Sequence, residues 1–242
     1  MLYGIIADVH GNLEALEAVL KQLKKADKII CTGDIIGYGP NPNECLEKVK
    51  KLEISSVAGN HEKAVAGKAV PEWFNESARK AVVWTQRKIF QENLEYIRNL
   101  PQVLEENGFQ IVHGSLRSPL EEYVSSIAEA LPTFSKMSKP LCFTGHFHRP
   151  LFIALKKDGN YDGRILRDGD EVLVDEYEKV IINPGGVGQP RDGDPRASYG
   201  LYDSKTGIFS LHRVEYDIDK VQKKMKKAGL PTPLIDRLPL GR

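Results

Sequence analysis

The sequence predicts an α/β fold with a ligand site along one sheet edge, and three observations carry that expectation. Short apolar runs alternate with helix-patterned segments through the first half of the chain. Five of those runs end on turns built from Asp, Asn, Gly or His. The second half changes to closely spaced short strands separated by Gly-Asp and Gly-Asn turns.

Residues 3–7 (YGIIA) read as the first strand and 8–12 as a turn. A helix follows whose apolar face holds Leu13, Leu16, Val19, Leu20 and Leu23 at spacings of three and four. KIICT at 28–32 is the next strand, followed by a loop over 33–40. Asn41-Pro42-Asn43-Glu44 then reads as a helix start, with Asn41 as N-cap, Pro42 at the first helical position and Glu44 completing a capping box. A third strand over 54–58 (ISSVA) ends at Gly59-Asn60-His61-Glu62.

Residues 66–105 interrupt the alternation with a largely helical stretch that includes Trp73, Phe74, Val82, Trp84 and Ile97, read as a packed insertion or cap placed to overhang the site. Strands at 109–112 (FQIV) and 141–144 (LCFT) lead into His113-Gly114 and Gly145-His146. In α/β sheets the carboxyl edge of the strands is where loops converge on a ligand.

Beyond residue 150, strands are expected at 151–155, 171–175, 179–183, 199–203 and 209–216, antiparallel and packed as a second sheet on the first around one core. Residues 217–242 begin as a basic helix carrying Lys220, Lys223, Lys224, Lys226 and Lys227, expected to be a solvated face, with a Pro-rich end along the surface. The whole of 1–242 is read as a single domain.

Composition narrows the partners. With 41% apolar and 28% charged residues the chain has ordinary globular make-up, and a formal net charge of +1 provides no global field for nucleic acid or an anionic membrane. Any attraction for a charged substrate must be local, so neither constitutive nucleic-acid binding nor membrane association is expected; oligomeric state is not legible. Three widely spaced cysteines read as reduced structural thiols of a cytoplasmic protein. No basic leader precedes the first strand, and no apolar run approaches about 18 residues.

Five of the six histidines follow strand-like runs, within the motifs Asp8-x-His10, Gly33-Asp34-x-x-Gly37, Gly59-Asn60-His61-Glu62, His113-Gly114 and Gly145-His146-x-His148. Imidazole nitrogens and carboxylate oxygens converging from separate strand ends suit divalent transition metals, and no thiolate belongs to the set. His212, alternating with apolar residues, keeps a structural reading. Together these motifs resemble those of the calcineurin-like metallophosphoesterases, nearest to the compact prokaryotic phosphodiesterase branch, and the segment from Asn183 to Arg191 is similar to its loop after the metal motifs.

The resemblance implies a four-layer α/β/β/α sandwich of two facing mixed sheets. It also implies that Asp8, His10 and His148 hold one metal, Asn60, His113 and His146 the other, and that Asp34 bridges them. His61 would stabilise the phosphoryl transition state or protonate the leaving oxygen, a general-acid task suited to a pKa near neutrality. Two divalent ions are expected, manganese first, with iron, nickel, cobalt or zinc as alternatives. A hydroxide bridging them would attack phosphorus directly.

The chain departs from the Ser/Thr protein phosphatase branch, where an Asp supporting the catalytic His and an adjacent phosphate-gripping Arg stand at the places of Gly37 and Tyr38. Gly186 also stands where relatives often carry Ser. Arg191 and Arg196 are the nearest sequence candidates to grip phosphate, and Asn12 either contacts phosphate or caps the first helix. The expected activity is hydrolysis of a small or nucleotide-like phosphodiester. A phosphomonoesterase with the same centre is the alternative, and a non-catalytic metal-stabilised scaffold a more distant one.

Overall fold

In this computed structural model the strand side chains alternate between two destinations, and that alternation builds the layers. Ile5, Ile30, Phe109, Ile111, Leu141, Phe143, Val180 and Ile182 point into one apolar cluster. Their neighbours Ile6 and Cys31 face a second, and Val112, Cys142 and Ile181 a third. Residues 1–67 and 70–242 are described; residues 68 and 69 of the helical stretch lie outside the described residues.

The elements run in chain order as β1 (Leu2–Ile6), α1 (Leu13–Gln22), β2 (Lys28–Cys31), α2 (Pro42–Lys51), β3 (Ser55–Ser56), α3 (Asn60–Ala66), α4 (Glu76–Lys88) and α5 (Gln91–Arg98). There follow β4 (Val103–Glu106), β5 (Phe109–Val112), α6 (Ile127–Lys136), β6 (Leu141–Phe143), β7 (Leu151–Lys156), β8 (Tyr161–Ile165) and β9 (Glu171–Leu173). The chain ends with β10 (Tyr177–Asn183), β11 (Ala197–Asp203), β12 (Ile208–Val214), α7 (Ile218–Lys227) and α8 (Thr232–Asp236).

Two six-stranded sheets result, ordered β3-β2-β1-β11-β12-β9 and β4-β5-β6-β10-β7-β8. Both are mixed: β1, β2 and β3 run parallel while β11 returns antiparallel to β1, and β5, β6 and β10 run parallel while β7 returns antiparallel to β10. The sheets face each other across the first cluster, where the rings of Tyr3, Phe109 and Phe143 meet edge to face at 4.9 and 5.2 Å. Helices α1–α5, α7 and α8 contribute to the cluster on the outer face of the first sheet, and α6 to that of the second. The architecture is the expected four-layer sandwich, with three apolar clusters in place of one core because both outer sheet faces are covered.

Other expectations change. The later strands do not form a sheet of their own: β9, β11 and β12 join the first sheet, while β7, β8 and β10 join β4–β6. Within the stretch read as helical, residues 103–106 form β4, paired with β5 from Val103↔Val112 to Glu106↔Phe109. The capping box at α2 is not made, because the Asn41 side chain donates to Glu44 Oε1 at 2.8 Å and accepts from Lys224 at 3.0 Å. The C-terminal end is packed, with Leu230, Leu234, Ile235 and Leu238 buried in the cluster beneath the first sheet.

The parallel strands matter for function. The six strands β1, β2, β3, β5, β6 and β10 deliver their carboxyl ends, and so the loops after them, to one edge of the sandwich. No helix among the described residues is long and apolar enough to cross a membrane.

Candidate metal centre

Backbone strain marks where those loops meet. Among the described residues, the non-glycine positions with positive φ are Asp8 (53°), His10 (49°), Asp34 (53°), His146 (67°) and His148 (58°), with Glu53 the exception outside the site. Left-handed backbone costs an L-residue roughly 1–2 kcal/mol, so five such residues in one place require compensation. Some comes from hydrogen bonds locking the first two loops together, from His10 N to Asp34 O at 2.8 Å and Gly11 N to Ile35 O at 2.8 Å.

Glu62, to which the motifs alone assign no role, supplies more. Its buried carboxylate accepts from the backbone N–H groups of Asp34 (2.8 Å), Ile36 (3.0 Å) and Gly59 (2.8 Å), tying the second loop to the start of α3. The sequence signal was its place three residues after the Gly59 N-cap.

The turns bring seven buried side chains together. One donor atom each from Asp8, His10, Asp34 and His148 falls within 4.8 Å of the others, as does one each from Asp34, His113 and His146. Asp34 belongs to both groups, its Oδ2 lying 3.6 Å from His10 Nε2 and 3.4 Å from His113 Nε2. Asn60 completes the second group, with Oδ1 3.0 Å from His113 Nε2.

Carbonyl partners behind the rings set their tautomers. The Nδ1 atoms of His10, His113 and His148 lie 3.1, 2.9 and 2.6 Å from the carbonyl oxygens of Ile36, Thr32 and Gln189. A carbonyl only accepts, so each Nδ1 carries the proton and each Nε2 turns inward. His146 is reversed, with Nε2 3.2 Å from Glu121 O and Nδ1 inward. Inward nitrogens therefore face one another, His10 and His148 at 3.1 Å and His113 and His146 at 3.2 Å, while Asp8 Oδ2 is buried with no hydrogen-bond partner. Facing lone pairs and an orphaned carboxylate oxygen repel without a cation between them. The donor set fits divalent ions.

Titration follows from the same crowding. Burial drives His10 and His148 well below their usual range and His146 down to about 3, whereas His113, although buried, is raised to about 9 because the adjacent Asp34 carboxylate outweighs burial. A proton on His113 thus takes a cation's place, and metal uptake must displace it. We predict proton release on adding Zn²⁺ to the chelated protein, and apparent affinity rising from roughly pH 6 to 9 as proton competition fades. Calorimetry in buffers of different ionisation enthalpy measures both; an affinity flat across that range contradicts the assignment.

His61 stands in the first turn of α3, its backbone N–H donating to Asp34 Oδ1 at 2.9 Å. Its ring packs among Tyr38 (4.4 Å), His10 (4.8 Å) and Phe74 (5.0 Å), and its Nδ1 is buried without a partner. That cage lowers it to about 4, mainly by desolvation, so the near-neutral pKa expected of a general acid is not found. No carboxylate supports Nδ1 because Gly37 occupies that place: a Cβ there would lie 2.4 Å from His61 Nδ1 and 2.8 Å from His10 Nδ1. Gly37→Ala, at φ 135°, should displace both rings and lower kcat/KM about 100-fold in steady-state assays; unchanged turnover would show that the two rings do not depend on this close approach.

Not every candidate reaches the centre. Asn12 is spent on structure, capping α1 through Oδ1 to Ala15 N and donating Nδ2 to Gly188 O at 2.9 Å. Arg196 is held by Asp194 at 2.7 Å and Asp168 at 2.9 Å and does not line the pocket over the metal ligands. His212 pairs with Ser210 at 2.9 Å and stacks on Tyr199, away from the site. Arg191 does line that pocket, with its Nε buried and unpartnered.

Arg237, which sequence reasoning missed, joins Arg191 at Tyr38; the two guanidiniums lie 4.9 and 5.8 Å from the ring centroid. Burial and then the neighbouring Arg191 charge lower Arg237 to about 10. No motif could have signalled this contact, because it depends on where the C-terminal segment packs.

The model of the calcineurin-like phosphoesterase superfamily domain matches residues 1–207. The chain belongs to this superfamily. This phosphoesterase is 39% identical to an uncharacterized protein of Methanocaldococcus jannaschii across 100% of the chain and 98% of that protein. A crystal structure of a metallophosphoesterase from Sphaerobacter thermophilus is 43% identical, with a TM-score of 0.91 over 100% of this chain and 99% of that one. A shorter similarity, 44% over 63 residues, links 24% of the chain to 23% of a symmetrical bis(5'-nucleosyl)-tetraphosphatase of Psychromonas ingrahamii. The family implies divalent metals, and this phosphoesterase has a buried donor cluster suited to them.

Proposed function

We propose that the protein is a two-metal phosphodiesterase acting on a small or nucleotide-like phosphodiester. The observation that carries this reading is the position of Asp34, one carboxylate shared by two clusters of inward-facing imidazoles. Asp8, His10 and His148 would hold one ion, Asn60, His113 and His146 the other, and Asp34 would serve both. Divalent ions held there, manganese first among the transition metals, would supply positive charge for phosphoryl oxygens and acidify water for in-line attack.

The chain's own groups do the rest. Arg191 presents a buried Nε with no partner beside the metal ligands and grips a phosphoryl oxygen, in place of the arginine that Tyr38 replaces. A bound anion also relieves the repulsion between Arg191 and Arg237. His61, neutral in its aromatic cage, acts as an N–H donor to the charge developing on phosphorus oxygens, so of its two expected roles transition-state stabilisation is favoured. Trp73, Phe74, Ala78 and Tyr123 line the same pocket, and such apolar walls suit the second substituent of a diester better than a lone monoester anion. The local similarity to nucleosyl tetraphosphatases supports the nucleotide-like class. A cytoplasmic setting fits the three buried free thiols of Cys31, Cys45 and Cys142.

The test is to strip metal with chelator, restore Mn, Ni, Zn or Mg separately, and compare bis-p-nitrophenyl phosphate with p-nitrophenyl phosphate. The expected result is metal-dependent turnover that favours the diester. Preference for the monoester would select the phosphomonoesterase alternative, and no turnover with any metal would defeat the enzymatic reading.

A further inference from the structure

Half-exposed aromatic rings lining a charged pocket offer a ligand flat apolar faces beside the polar groups that fix its orientation. Trp73 is 52% exposed and Tyr123 44% exposed, and both line the pocket that contains Asp34, Asn60, His146 and His148. They come from opposite parts of the fold, Trp73 just before α4 and Tyr123 in the segment between β5 and α6.

Each ring is braced by the site. Trp73 stacks on Phe74 at 4.5 Å with 30° between planes, and Phe74 in turn packs edge-on to His61 at 5.0 Å. Tyr123 lies nearly parallel to the His146 imidazole, 4.1 Å away and tilted by 7°. Both rings are thus fixed by residues already engaged at the centre, so their half-exposed surface is preorganised, with little side-chain entropy left to lose on contact.

We propose that Trp73 and Tyr123 form a stacking platform for a nucleobase carried by the phosphate ester, making nucleoside phosphodiesters the preferred substrate class. This rests on the phosphodiesterase reading. A purine or pyrimidine is flat and apolar on its faces, and Arg191, which lines the same pocket as the two rings and the metal ligands, suits the phosphate attached to its sugar. A hydrophobic aliphatic substituent would gain from burial but not from planar stacking. Selectivity for a flat base over an aliphatic group is therefore what the arrangement specifies.

Two measurements test it. The first compares thymidine 5'-(p-nitrophenyl phosphate) with methyl p-nitrophenyl phosphate, which release the same p-nitrophenolate. The nucleoside ester should have the higher kcat/KM, and the ratio of the two should fall about tenfold in Trp73→Ala and in Tyr123→Ala. Trp73→Phe and Tyr123→Phe, which keep a flat ring, should restore most of the ratio. Equal losses on both esters, or no preference for the nucleoside in the unaltered protein, would overturn the proposal.

The second needs no turnover. In Trp84→Phe protein, where Trp73 is the one remaining tryptophan, adenosine 5'-monophosphate should quench the fluorescence and ribose 5-phosphate should not. Equal responses to the two ligands, or none, would overturn the platform. If neither ester is hydrolysed with any metal while the adenosine nucleotide still quenches, the platform stands and the phosphodiesterase reading falls. Turnover of both esters without base selectivity would leave the phosphodiesterase reading standing and remove the platform.

Discussion

Asp34→Asn should empty both metal positions together and lower kcat/KM by at least about 1,000-fold, since metal charge is worth several kcal/mol in such reactions and each 1.36 kcal/mol is tenfold. The two donor groups have Asp34 in common, and an amide cannot provide a negatively charged oxygen to two cations. Asp8→Asn provides the contrast. Asp8 contributes only to the group with His10 and His148, so this variant should weaken that ion and spare the one held by Asn60, His113 and His146. Metal content after dialysis, read beside turnover, separates the two substitutions; equal metal loss in both would show that the sites do not divide as assigned.

His61→Ala should give the opposite pattern, with metal retained and turnover reduced about 10²- to 10⁴-fold. The His61 side chain is in neither donor group, yet it sits 4.8 Å from the His10 ring and lines the same pocket as Asp34 and Asn60. The alanine leaves a gap against Tyr38 and Phe74, so metal content must be measured with turnover to separate lost chemistry from a loosened centre. Turnover at the unaltered rate would remove His61 from the reaction. Loss of both metals would make it a packing residue for His10.

Much of this centre was legible because two-metal chemistry needs particular residue types at strand ends. His10, Asp34, Asn60, His113 and His146 each adjoin a glycine at such an end, Asp8 and His148 stand two residues from His10 and His146, and the structure brings all seven together. What stayed hidden depends on long-range packing. Alternating side chains show that 151–155 and 209–216 are strands, but a period of two carries no information about which sheet accepts them. That β11 pairs with β1 and β10 with β6 is decided by the whole sandwich.

The substrate-side residues illustrate the same limit. Asn12 carries the signal of a helix cap and of a phosphate contact equally well, and the structure shows the cap, with Oδ1 accepting from Ala15 N and Nδ2 donating to Gly188 O. Arg191 and Arg196 are indistinguishable as loop arginines, until Asp168 and Asp194 occupy one and leave the other facing the pocket. Arg237 lies in a Pro-rich tail that reads as surface, yet burial of Leu234, Ile235 and Leu238 carries it to Tyr38. Trp73 and Phe74 read as helix packing, whereas Trp73 remains half exposed over the centre.

Whether two ions act together is decided by titrating the chelated protein. Zn²⁺ or Mn²⁺ is added in steps while bound metal and hydrolysis of bis-p-nitrophenyl phosphate are followed in the same samples. Activity should stay low through the first equivalent and saturate at about two ions per chain. Full activity at one ion per chain, or activity that survives complete removal of metal, would contradict a two-metal centre.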